Sequence, residues 1–263
     1  MSAIHGELVR LLATRLPLWT LLSAVCAGSI TGLLALIGPE NSTTPMPGID
    51  TTQGAGLVVG LGALLLFVPA LIGTVAITSE YRHRTIGTTF LAVPRRGRVL
   101  GAKLAVYTVL GLLYGVVASV TAGLTLIGAA ALRGVALGLS AEQLVIILGQ
   151  LAVASTVYMV LGVGIGALAR HQLLAIGIVL GYFYFLEHVL MLIPGVNALY
   201  PFLPGGATAS LTRFTFLTDA IAEQTSLTAA PVASPLMGAA ILVLYALLAA
   251  AAALLAPLRR DLR

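Results

Sequence analysis

"SEYRHRTIGTTFLAVPRRGRVLGAK", residues 79–103, holds six of the fourteen Lys and Arg residues of the chain and stands between two long apolar runs. Before it lies AGLVVGLGALLLFVPALIGTVAIT (55–78), and after it LAVYTVLGLLYGVVASVTAGLTLIGAAAL (104–132). A hydrocarbon layer about 30 Å thick takes roughly 20 helical residues at about 1.5 Å each, and both runs exceed that. Four further runs also reach it, at 18–38, 144–169, 173–193 and 236–256. With 59% hydrophobic and 9% charged residues and a mean hydropathy of +1.06, the composition lies far outside that of soluble domains. The runs also lack the alternating ten-residue strands of a membrane β-barrel. The expectation is an all-α polytopic membrane protein with six transmembrane helices, residues 1–263 forming a single transmembrane domain.

The amino-terminal segment lacks a clear signal-cleavage site, so the first span is expected to be retained. Ile4, Leu8, Leu11, Leu12 and Leu16 recur at helical spacing, with Glu7, Arg10 and Arg15 on other faces, which predicts an interfacial helix leading into that span. Cys26 is the single cysteine, so no intramolecular disulfide forms; inside the first span it reads as a small packing residue.

Six spans place both termini on the same side as residues 79–103, and that side carries twelve of the fourteen Lys and Arg residues. Arg133 and Arg213 alone fall opposite, with Glu40, Asp50, Glu142, Asp219 and Glu223. The positive-inside rule therefore predicts cytoplasmic termini in a multi-pass protein. The basic residues flank spans and have no aromatic-interleaved groove beside them, so nucleic acid is not an expected partner. Small residues recur at four-residue spacing in Gly28/Gly32, Gly56/Gly60, Gly111/Gly115, Gly162/Gly166 and Gly177/Gly181, a pattern that lets helix backbones approach within lipid.

Within the opening stretch, Ile86, Phe90 and Val93 follow an amphipathic spacing behind Glu80, Tyr81, Arg82, His83 and Arg84, and Pro94 should end the helix. A short helix over residues 80–93 at the inner surface is predicted. Residues 194–235 are too long for a plain turn, and TASLTRFTFLTDAIAEQ within them predicts one or two short outer helices.

The run ITSEYRHRTIGTTFLAVPRRGRVLGAKL resembles the cytoplasmic signature of ABC transporter permeases of the type-2 membrane family. In that signature a glutamate, an aromatic residue and an arginine lead into a Thr-rich helix, followed by Pro-Arg-Arg and a lysine. GELVRLLATRLPLWTLL is similar to the family's entry helix, and LYPFLPGGATASLT to its outer segment before the sixth span. The resemblance implies a bacterial cytoplasmic (inner) membrane permease that exports a hydrophobic or amphipathic compound. It implies a separate ABC ATPase subunit and a second permease subunit, identical or related. Residues 80–93 would be the coupling helix docked on the ATPase, with Glu80, Tyr81, Arg82, Thr85, Thr88 and Thr89 at the contact. The sequence leaves equally open that Glu80 and Arg82 pair within the permease near the interfacial helix. Arg95, Arg96, Arg98 and Lys103 would anchor the inner face.

Lys103 is the only lysine and Leu104 follows it, so the chain has no P-loop; ATP and Mg would be used by the partner, and this chain is expected to bind no cofactor and to be no enzyme. Glu187 and His188 lie in the fifth span, roughly 9 Å below its outer end. A charge at a helix centre costs on the order of 2.5–3.5 kcal/mol on insertion scales, so the pair needs a reason. Either it forms a polar site on the pathway or a subunit interface, or Glu187 is neutral and hydrogen-bonded beneath a broken helix end, with Tyr158, Tyr182 and Tyr184 as possible members of its network. Two alternatives from other classes stand beside the permease. An ion-gradient-driven secondary transporter would use broken helices, of which Pro69 marks one with no matching break elsewhere. An intramembrane enzyme would need a ligand cluster that His5, His83, His171 and His188 do not assemble.

Overall fold

The computed structural model describes residues 3–41, 47–83, 96–169, 171–225 and 230–255. Every regular element among them is helical. Six helices are long and apolar enough to cross a membrane: Leu16–Gly38, Thr52–Arg82, Gly97–Arg133, Ala141–Ala169, Gln172–Met191 and Pro235–Leu255. The protein is a polytopic helical membrane protein.

The third span runs in one helix from Arg96 to Arg133, starting well before its apolar run. No proline interrupts it, so its 38 residues extend about 57 Å and carry it past the hydrocarbon layer. The second span is less regular. Helix Thr52–Gly60 tightens into a 3-10 stretch, Leu61–Leu66, before the helix Phe67–Arg82. Pro69 lies just beyond, where its missing N–H and its ring disfavour an unbroken α-helical ladder. The fifth span has a break of its own, a π-helical stretch Gly181–Leu186 between Gln172–Leu180 and Glu187–Met191. That corrects the expectation that Pro69 has no counterpart: the widened turn contains neither proline nor an obvious local signal.

The fourth span is the centre of the bundle. It packs against the second, third and sixth spans, and 56% of its most apolar window is buried, against 18% for the fifth. The first span lies on the third. Close backbone approach holds these contacts, because lipid tails supply little hydrophobic drive between helices. A Cβ on Gly162 would stand 1.9 Å from the Ala70 carbonyl oxygen, and the Thr74 hydroxyl reaches the Gly162 carbonyl at 3.1 Å. Gly28 and Gly32 seat Ala118, Thr121 and Thr125 of the third span, and Gly111 and Gly115 meet Thr156 and Ala152 of the fourth. Gly177 and Gly181 face open space, and of the Gly56/Gly60 pair only Gly60 is closely packed, against the ring of Phe214. Cys26 is exposed, turned outward from the bundle instead of packing inside it.

On the face away from the termini, two loops are tied together. Thr51 caps the second span through Gly54 N–H at 3.0 Å, Thr52 donates to the Gly138 carbonyl at 2.8 Å, and Gly138 N–H donates to Ile49 at 2.9 Å. Ser140 and Gln143 form a reciprocal capping box at the start of the fourth span. The Arg133 guanidinium donates to the carbonyls of Ala35 and Leu36 at 2.9 and 3.1 Å, satisfying acceptors near the end of the first span.

The segment between the fifth and sixth spans folds as a 3-10 turn, Val196–Phe202, and two helices, Pro204–Thr212 and Phe216–Thr225. Pro204 opens the first of these at a position where its missing N–H costs nothing. This helix is no surface element: all of its residues but Gly205 are buried, chiefly against the sixth span. Its small side chains, Gly206, Ala207, Ala209 and Ser210, permit that depth.

Candidate functional site

Two constellations of polar groups are buried in the bundle, one at each face. At the face of the termini, helix Ala3–Leu12 lies on the start of the third span. Its inward residues are Glu7 and Leu11, while Ile4, Leu8, Val9 and Leu12 are exposed. The apolar stripe thus faces outward, as on a helix lying in the membrane interface, and the acidic residue faces the protein. Glu7 is thus on a different face from Ile4, Leu8 and Leu12, in keeping with the spacing, while Leu11 of the apolar set turns inward beside it.

Glu7 meets Lys103 Nζ at 2.7 Å, and Arg10 Nη2 lies 3.5 Å from the same carboxylate. Glu80, at the end of the second span, contacts both Arg10 and Lys103. Two carboxylates and two cations therefore lock three helices together. Lys103 is 2% exposed and is the largest fully buried side chain among the described residues, with Glu7 and Glu80 nearly as deep. Lys103 is accordingly no headgroup anchor: its stem sits among core residues and its ammonium is consumed by two carboxylates. For Glu80, the geometry is that of an internal pair near the interfacial helix.

Tyr81 is half-buried against the core, and Arg82 is exposed, its Nη1 donating to Gln172 Oε1 at the start of the fifth span at 3.2 Å. Arg98 is exposed. Thr85, Thr88, Thr89 and Arg95, the side chain of Arg96, and the predicted helix from residue 84 to 93 lie outside the described residues.

At the opposite face, the turn of π-helix delivers Glu187 into the protein, where it is 4% exposed. Both carboxylate oxygens accept from Gly205 N–H, each at 3.1 Å, and the Tyr182 phenol lies beside the carboxylate. Gly205 is the second residue of helix Pro204–Thr212, so the carboxylate sits at a helix amino terminus, where N–H groups are free and the dipole favours an anion. A Cβ at Gly205 would stand 2.0 Å from Glu187 Oε2, so any larger residue there would displace the carboxylate. The Thr208 hydroxyl, one turn along, lies 3.3 Å from the hydroxyl of buried Tyr158.

These groups line a cavity of about 210 Å³. Phe67 contributes from the second span, Tyr158 from the fourth, Phe183 and Glu187 from the fifth, and Tyr200 and Thr208 from the outer segment. Tyr158 and Phe183 pack with ring centroids 4.9 Å apart. Burial, with the charge of Glu187 as a lesser cause, pushes the Tyr200 hydroxyl well above its ordinary range and keeps it protonated. His188 also borders the cavity, and its Nδ1 is buried with no hydrogen-bond partner among the described residues.

The sequence marked Glu80, Lys103, Glu187 and His188, with Tyr158 and Tyr182 in the network of Glu187, but not Glu7, Arg10 or Gly205; the side chain of Tyr184 lies outside the described residues. Glu7 and Arg10 read as the polar side of an amphipathic helix, and their inward turn has no local signal. Gly205 did carry one, in Pro-Gly-Gly at a helix start, a place where backbone N–H groups lie open to an anion. No protein-family model and no curated protein matches the chain.

Proposed function

We propose that this chain is the membrane-spanning permease subunit of an ATP-binding cassette transporter. It would export a hydrophobic or amphipathic compound across the bacterial cytoplasmic membrane at the expense of ATP hydrolysed by a separate ATPase. One observation carries the reading beyond the resemblance of residues 79–103: the ion cluster of Glu7, Arg10, Glu80 and Lys103. It binds both ends of the connection between the second and third spans to each other and to the interfacial helix. A push received on residues 84–95 from a soluble motor would therefore move two spans as one body. The low burial of the fifth span favours a second permease copy beside it, homologous or identical.

The test is co-purification in mild detergent with an ATPase encoded beside this chain, followed by reconstitution into proteoliposomes. ATP-dependent movement of an amphipathic compound is expected. Failure to recover any P-loop ATPase, together with ATP-independent transport, would refute the assignment.

A second reading, an ion-gradient-driven transporter, is favoured by one specific observation. The irregular stretches Leu61–Leu66 and Gly181–Leu186 both border the cavity that contains Glu187, an arrangement used by secondary transporters. Proteoliposomes containing this chain alone separate the two: uptake driven by a proton or sodium gradient, indifferent to ATP, belongs only to the second.

A further inference from the structure

Three carboxylates are buried among the described residues, and their surroundings differ in one respect. Glu7 and Glu80 each have Arg10 and Lys103 beside them. Glu187 has no arginine, lysine or histidine paired with it among the described residues; its hydrogen-bond partner is one backbone N–H, with one phenol nearby. Those donors leave part of a carboxylate's roughly four acceptor directions unused. A buried carboxylate without a counter-charge is costly, and the cost is greatest in a low-dielectric membrane interior. The cavity beside it offers room for the missing partner.

We infer that this cavity is a binding site for a small protonated amine with an apolar body, its ammonium set against Glu187. The N–H donors of such an ammonium suit both the carboxylate and the unpartnered His188 Nδ1. Phe67, Tyr158, Phe183 and Tyr200 supply ring faces and apolar walls, and aromatic faces attract cations most strongly where water is excluded. A volume of about 210 Å³ lies below the roughly 300–1,000 Å³ of sites for drug-sized ligands, so the compound is small. Anions are repelled by Glu187. A hard metal cation would want six or more oxygen ligands, and among the described residues no group of three His, Cys, Asp or Glu side chains gathers to hold a metal.

As a statement about the transported compound this rests on the permease reading; as a statement about binding it concerns this chain alone. The full-length chain, purified in detergent, is titrated calorimetrically with 2-phenylethylammonium and with the uncharged 2-phenylethanol. Saturable binding of the ammonium is expected, at least tenfold tighter than that of the alcohol. Glu187→Gln should weaken the ammonium at least tenfold and leave the alcohol unchanged. Ala63→Leu, which fills the cavity and keeps the carboxylate, should weaken both. Undiminished ammonium binding in Glu187→Gln, or equal affinity for ammonium and alcohol, overturns the inference and assigns a proton to Glu187. Should Glu187→Gln fail to fold, undiminished ammonium binding in Ala63→Leu overturns it equally. Amine binding by the isolated chain, combined with failure to recover any ATPase partner and with ATP-independent transport, would refute the permease reading alone, and ATP-driven transport without amine binding would refute this inference alone.

Discussion

Lys103 Nζ donates to Glu7 Oε1 at 2.7 Å across 96 positions of sequence, and both side chains are almost fully buried. A pair at that depth is more informative when broken than when intact. Its Coulombic gain is set against the desolvation of two ions, and only the removal of one partner exposes the full penalty of the other.

Lys103→Met should therefore cost about 3–5 kcal/mol, since it leaves two buried carboxylates to share Arg10. Arg10→Met should cost less, because Arg10 is 38% exposed and water screens what remains. The triple variant Glu7→Leu, Glu80→Leu, Lys103→Met should recover most of the loss. Unfolding of each variant in detergent, titrated with sodium dodecyl sulfate, gives the order; a triple variant less stable than Lys103→Met alone would contradict it.

Arg82 is exposed and bonds Gln172 from the surface, so Arg82→Glu should change stability by no more than about 0.5 kcal/mol. If the chain is the permease proposed above, the same change should lower substrate-stimulated ATP hydrolysis by the partner severalfold at unchanged expression. Glu80→Lys is not an equivalent probe, because it also disrupts the buried cluster. Normal stimulation in Arg82→Glu would remove this residue from the docking surface.

The glycine repeats separate into two kinds. Gly162→Ala places a methyl group 1.9 Å from the Ala70 carbonyl and should destabilise by about 1–3 kcal/mol through forced separation of the second and fourth spans. Gly177→Ala meets nothing within 4 Å and should be neutral or stabilising by up to about 1 kcal/mol through helix propensity. Thermal unfolding in the same detergent distinguishes them.

Arg133→Ala removes charged donors from the carbonyls of Ala35 and Leu36, partners 98 and 97 positions away, and should cost about 1.5–3 kcal/mol. Hydrogen exchange should quicken first at the end of the first span, because that is the element the guanidinium holds.

The sequence disclosed the spans because twenty apolar residues in succession leave little alternative, and it disclosed the amino-terminal helix because Ile4, Leu8 and Leu12 share a period. It did not disclose which side of that helix meets protein: in lipid the apolar stripe faces outward, so the rule that holds in water inverts, and Glu7 goes in. Glu187 stood out by its cost in a span, whereas the identity of its partner depended on the outer segment turning inward at Pro204. Cys26 and Gly177 were read as packing residues by type, but orientation within an apolar helix is fixed by neighbours that carry no period. The π turn left no local signature at all.

That turn has one more consequence. A helix normally cannot lose a residue without rotating everything beyond the gap by about 100°. The widened loop at Gly181–Leu186 stores slack, so removing a single residue there can be absorbed by tightening it to ordinary pitch, with Val179 and Met191 keeping their orientations. Among the described residues, the fifth span is thus a transmembrane segment whose length can shrink without scrambling its faces, and the slack lies directly before the carboxylate that it aims.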